Sequence, residues 1–109
     1  MSLSNYARVQ HITTFHPGRV VITQGASRLL SDFTNSKKPS AVAFLARHIR
    51  CDWGTVDSSD WKINNHALKS GARIISQYEF DGNRIWIISE ASEDPLVREV
   101  TTILTPEEY

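Results

Sequence analysis

The sequence predicts one α+β domain that spans residues 1–109, with the element order β-α-α-α-β-β-β. A β-rich run comes first, apolar residues at helical spacing follow, and a two-residue hairpin signal lies in the C-terminal third. The length is usual for one domain. We therefore expect a mainly antiparallel sheet with the helices packed on one face.

The first elements are a strand and a short helix. Residues 1–15 are polar without a clear period, so we expect them to be loosely ordered. A turn signal at His16-Pro17-Gly18 precedes a β-rich run over residues 19–24. Gly25 is expected to break the chain before a helix whose apolar stripe consists of Ala26, Leu29, Leu30 and Phe33.

Two further helices occupy the middle of the chain. Pro39 suits the start of the second helix, since its missing N–H is not needed there. Asp57 is a good N-cap for the third helix, and Gly71 suits the left-handed position after its end. Asn64 and Asn65 are poor helix formers, so we expect one of them to face inward and hold the link around Asp52–Gly54.

The C-terminal third carries the clearest signal. Asp81-Gly82 lies between two β-rich runs, which predicts a hairpin with a two-residue turn. That register places Tyr78 opposite Ile85 and Ser76 opposite Ile87 on the core face. After a loop, a last strand is expected over residues 99–104.

Composition limits the kind of site the chain can build. Its single cysteine, Cys51, excludes an internal disulfide and any cysteine-based metal site, and fits a reducing cytoplasm. No apolar run approaches the roughly 18 residues of a membrane span, and residues 1–15 lack the apolar centre of a secretory signal. The four histidines show no metal-ligand spacing, so we expect no metal and no other cofactor.

Charge is divided unevenly along a neutral chain. Residues 1–50 contain seven bases and one acid, whereas residues 51–109 contain five bases and eleven acids. If this division survives folding, opposite faces carry opposite potential; folding can also intermix the two halves. The acids on or beside the last two strands are then candidates for one contact with a basic partner: Glu90, Glu93, Asp94, Glu99, Glu107 and Glu108.

Two tryptophans, Trp53 and Trp86, are candidate anchors for a protein partner. A tryptophan in the short Asp52–Gly54 link can equally fill the core, with its indole N–H bonded to an oxygen. Both interpretations of Trp53 stay open at this point.

A catalytic alternative centres on His48. Neighbouring cations lower the pKa of a histidine, so His48 between Arg47 and Arg50 could act as a neutral general base, oriented by Asp52. With Arg73 for the phosphate, this set fits metal-independent ribonuclease chemistry. The simpler interpretation is that His48 favours the dipole at a helix C-terminus.

Several segments resemble a family of small bacterial plasmid-related proteins, often labelled as restriction-system subunits. They are Gly18–Gly25, His48 with Asp52-Trp53-Gly54, Gly71–Tyr78, Arg84–Glu90 and Thr101–Tyr109. The connection over residues 91–99 departs from the family pattern. The element order also resembles that of barnase, colicin and RelE ribonuclease toxins, which is an analogy of fold only.

The resemblance implies a mobile-element setting, in which small proteins block host defences by binding them. We therefore expect a non-enzymatic interaction protein of plasmids or phages that binds a restriction or CRISPR complex. The alternative is a small ribonuclease or toxin-like domain that uses His48, Asp52 and Arg73. Nucleic-acid binding ranks last, because no basic segment with interleaved aromatics is present. The oligomeric state stays open.

Overall fold

Four strands form one mixed sheet in the computed structural model, which describes residues 14–30 and 39–109. The spatial order is β1-β4-β3-β2; β2–β3 and β3–β4 are antiparallel, and β1–β4 is parallel. A parallel pair needs a long connection, and β1 and β4 are separated in the chain by the helices and the β2–β3 hairpin. The strands are β1 (Arg19–Ile22), β2 (Ile74–Phe80), β3 (Asn83–Ser89) and β4 (Val100–Leu104).

Within residues 14–30 and 39–109, three α-helices and a C-terminal 3₁₀ turn complete the α+β fold that the sequence predicts. They are α1 (Gln24–Leu30), α2 (Ala41–Ile49), α3 (Ser58–Ser70) and the turn Pro106–Glu108. The side chain of Asp57 accepts the N–H of Asp60 at the start of α3, and Gly71 ends the helix with φ 82°, as predicted. None of the helices in the described ranges is long and apolar enough to cross a membrane.

Some predicted boundaries need correction. Gly25 does not break the chain but lies inside α1. The cap of α2 is Ser40, whose side chain accepts the N–H of Ala43, and Pro39 precedes it. Phe15 is buried, so the expectation of a loose start over 1–15 is wrong at this residue. Residues 1–13 and Phe33 lie outside the described residues.

The hairpin follows the predicted register. Tyr78 pairs with Ile85 and Ser76 with Ile87, and all four side chains are buried. Asp81 and Gly82 have φ 48° and 76°, the two positive values that a two-residue turn of this kind requires. We call the buried side the inner face; it carries Ile74, Ser76, Tyr78, Ile85, Ile87, Ser89, Thr101 and Ile103.

The core lies on the inner face in two clusters. One packs Ala26 of α1 and Phe44 of α2 against the centre of the sheet. The other surrounds Trp53, and contains Phe15, Ile74 and the C-terminal half of α3. Alternate residues of the strands point to the opposite side, the outer face, which includes Arg73, Ile75, Gln77, Trp86 and Ile88.

The free edge of β2 is covered by side chains and loop rather than by another strand. The buried Asn64 amide donates to the carbonyl of Ile75 at 2.8 Å and accepts its N–H at 3.3 Å. Two residues along, Gln77 bonds through its backbone to Trp53 and Thr55. This cover protects the edge from pairing with another chain.

Candidate functional site

His48 is fully buried in a network of hydroxyl groups on the inner face. Its Nδ1 lies 2.5 Å from Ser76 Oγ, and its Nε2 lies 2.9 Å from Ser89 Oγ. Ser89 Oγ in turn lies 2.6 Å from Thr101 Oγ1, which donates to the carbonyl of Pro17. Burial, with a smaller contribution from the charge of Arg98, lowers the pKa of His48 to about 3. The imidazole is therefore neutral and inaccessible.

The structure does not bring the candidate ribonuclease residues together. Asp52 accepts a hydrogen bond from Arg47 Nε at 2.8 Å, on the surface at the end of α2. Arg73 lies on the outer face and pairs with Glu90 at 3.5 Å. His48 faces the opposite side of the sheet, so the three side chains cannot act on one phosphate.

Trp53 belongs to the core and is not an exposed anchor. Its side chain is fully buried beside Phe15 and His48, with ring centroids 6.4 and 5.8 Å away. The indole N–H donates to Asn65 Oδ1 at 3.0 Å. An asparagine of α3 therefore holds the Asp52–Gly54 link as expected, but it is the exposed Asn65, whereas the inward-facing Asn64 bonds to Ile75 of β2. Trp53 itself is unavailable to a partner.

The six candidate acids lie in two groups, one beside each end of β4. Four of them, Glu90, Glu93, Asp94 and Glu99, lie near the start of β4. Glu107 and Glu108 follow its other end, about 16 Å away for a strand of this length. β4 runs between the two groups, and the expectation that one partner contacts all six acids stays a prediction.

Glu108 is part of the fold. Its carboxylate accepts hydrogen bonds from the Thr23 hydroxyl and from the N–H groups of Gly25 and Thr105, both at 2.9 Å. A Cβ at Gly25 would lie 2.6 Å from Glu108 Oε2, so the glycine leaves room for this contact. These bonds, led by the one from Thr23, lower the pKa of Glu108 to about 2.

The outer face contains an open groove beside Trp86, with a volume of about 480 Å³. It lies between the N-terminal half of α3 and the strands β2 and β3. Its apolar lining is Val56, Ile63, Ile75 and Trp86, and its polar lining is Thr55, Asp57, Asp60, Asn64, Arg73 and Gln77. We call these ten residues the Trp86 groove. Ile63 is 56% exposed there and adds apolar surface to the groove.

Hydrogen bonds hold the Trp86 ring in place. The indole N–H donates to Gln77 Oε1 at 2.9 Å, and Gln77 Nε2 donates to Thr55 Oγ1 at 3.0 Å. The ring of Tyr109 meets Trp86 edge-on at 5.3 Å, and the guanidinium of Arg73 lies 5.2 Å from the centre of the Tyr109 ring. Trp86 is thus a half-buried aromatic in a fixed orientation, the form typical of an interface anchor.

Arg98 has a structural role that no pattern in the sequence indicates. It is 1% exposed and donates to five backbone carbonyls, those of Ala67, Gly71, Ala72, Glu90 and Pro95. Two of these carbonyls belong to the C-terminal end of α3, where the helix dipole favours a cation. The connection over residues 91–99 is thereby fixed to the rest of the domain.

The remaining reactive groups do not form a site. Burial raises the pKa of the Cys51 thiol to about 11, which keeps it protonated at neutral pH. Within the described ranges, no three histidine, cysteine, aspartate or glutamate side chains are grouped as metal ligands.

No protein-family model, no curated protein sequence and no solved structure matches this chain.

Proposed function

We propose that the chain is a non-enzymatic interaction protein of plasmids or phages that binds and inhibits a host defence complex. The mobile-element setting comes from the sequence resemblance, and the restriction or CRISPR type of complex follows from that setting. The contact surface is the Trp86 groove rather than the acid set around the last two strands.

The Trp86 groove is the observation that supports a binding role. It combines a fixed, half-buried tryptophan with apolar neighbours and a polar rim, which is the composition of an interface centre. Its volume of about 480 Å³ admits one or two side chains of a partner. The ribonuclease alternative has no comparable support, because its three residues lie apart and His48 is buried.

The proposal is tested by the plating efficiency of a phage on cells that carry a restriction or CRISPR system. Cells that express the wild-type protein should lose their resistance. Trp86→Ala should restore resistance, since removing an interface tryptophan weakens binding by about 30-fold. Ile63→Gln, on the exposed surface of α3, should act in the same direction without disturbing the core.

Val42→Ala is the matched control, because Val42 is 75% exposed on α2 and does not line the groove. It should leave the inhibition unchanged. Resistance that persists with the wild-type protein, against both restriction and CRISPR systems, contradicts the proposed function.

A further inference from the structure

We infer that the Trp86 groove takes a segment of a protein partner in which a basic side chain, arginine above all, is flanked by apolar residues. This inference rests on the proposed function and adds the chemistry of the bound segment. It follows from the charges at the rim of the groove and from its aromatic and aliphatic lining.

The rim carries two carboxylates with no cation beside them. Asp57 and Asp60 are both exposed at the start of α3. Among the described residues, the ion pairs within 4.0 Å are Arg47–Asp52 and Arg73–Glu90, so neither rim aspartate is paired. The helix dipole contributes only about half a positive charge at this end, which leaves the rim negative.

The one cation that lines the groove is already engaged. Arg73 pairs with Glu90 at 3.5 Å and lies over the Tyr109 ring. Its charge is therefore compensated locally and does not cancel the charges of Asp57 and Asp60. An incoming cation meets net attraction, whereas an acidic peptide or a nucleic-acid phosphate meets repulsion.

The lining suits the two parts of an arginine side chain. Ile63 and Ile75 offer apolar surface to the methylene stem, and the face of Trp86 offers a site for the guanidinium. The protein makes the same contact internally, since Arg47 lies 4.7 Å from the centre of the Tyr78 ring. A planar guanidinium can stack on the indole and also donate to a carboxylate, which an ammonium does less well.

The test is a titration of the ¹⁵N-labelled protein with blocked pentapeptides that place arginine, citrulline or glutamate between two leucines. The arginine peptide should shift the indole N–H signal of Trp86 in a saturable way. The signal of Trp53, buried in the core, is the internal reference and should not move. The citrulline peptide should bind about three- to tenfold more weakly, and the glutamate peptide more weakly still.

A double variant, Asp57→Asn with Asp60→Asn, tests the contribution of the rim charges while leaving the shape of the groove nearly unchanged. Asparagine still caps α3, so the fold should be kept while the rim loses both charges. The arginine peptide should then lose most of its advantage over the citrulline peptide, and the advantage that remains comes from its contact with the Trp86 ring. Equal affinity of the two peptides for the wild-type protein, or a Trp86 shift with single-stranded DNA in place of peptide, would overturn the inference.

Failure of this inference is distinct from failure of the proposed function. If Trp86→Ala abolishes defence inhibition but no arginine peptide moves the Trp86 signal, the groove binds a partner of other chemistry. In that case the proposed function stands and the inference is wrong.

Discussion

On the inner face of the sheet, His48 bonds to both Ser76 and Ser89, whereas on the outer face Trp86 bonds to Gln77 beside an open groove. The inner network has no access to solvent, and none of the buried side-chain nitrogen and oxygen atoms in the described ranges lacks a partner. On the outer face, the half-buried Trp86 lines the groove together with the exposed Asp57 and Asp60. Histidine, the residue type most associated with catalysis, is thus part of the core here, whereas the half-buried Trp86 lines the groove.

We expect the largest loss of stability from a substitution of the buried Arg98. Arg98→Met keeps the length of the side chain but removes donors to five carbonyls. Losing a buried charged group from its partners costs about 3–5 kcal/mol of unfolding free energy. Urea unfolding measures the loss. Arg84→Met, at an exposed arginine of β3, is the control and should change stability by less than about 0.5 kcal/mol.

His48→Ala should have the next largest effect. It removes a fully buried ring and leaves the hydroxyls of Ser76 and Ser89 without their partner, which costs about 2–4 kcal/mol. His66→Ala, at the exposed histidine of α3, should be nearly neutral. Similar unfolding midpoints for both variants would show that the inner network does not stabilise the domain.

The same histidine predicts a pH dependence. The pKa of His48 is about 3 in the folded protein and about 6.5 when unfolded. The stability from the neutral ring is present above pH 6.5 and is lost as the pH falls from there towards 3, because the unfolded state binds the extra proton. Urea unfolding of the folded His48→Gln protein should show a shallower loss of stability than wild type between pH 6.5 and about 5, above the range in which Glu108 titrates.

A smaller effect is expected at the C-terminal turn. Glu108→Gln weakens the bonds to Thr23 and Gly25 and should lower the thermal midpoint slightly. The difference from wild type should fade as the pH falls from about 4.5 to about 2, since the carboxylate of the wild-type protein is then protonated. Glu107→Gln, one residue earlier and exposed, should leave the midpoint unchanged. An equal drop in the thermal midpoint of Glu108→Gln and Glu107→Gln would mean that the Glu108 contacts do not hold the end of the chain.

Local signals predict much of the fold. The Asp81-Gly82 turn sets the hairpin register, and Asp57 with Gly71 sets the limits of α3, because each depends on residues close in the chain. The buried network around His48 and the contacts of Glu108 depend instead on residues that are far apart in the chain. His48 and Ser76 are 28 positions apart, and Thr23 and Glu108 are 85 apart, so no local pattern relates them. The role of Arg98 also has no local signal, since its five carbonyl partners come from three separate segments of the chain.

The most direct test of the central claim compares Trp86→Ala with His48→Gln in the phage plating assay, using variants that stay folded at the assay temperature. His48→Gln should still inhibit host defence, whereas Trp86→Ala should not. Inhibition that survives Trp86→Ala but is lost with His48→Gln, together with His48-dependent cleavage of RNA in the presence of a chelator, would contradict the central claim.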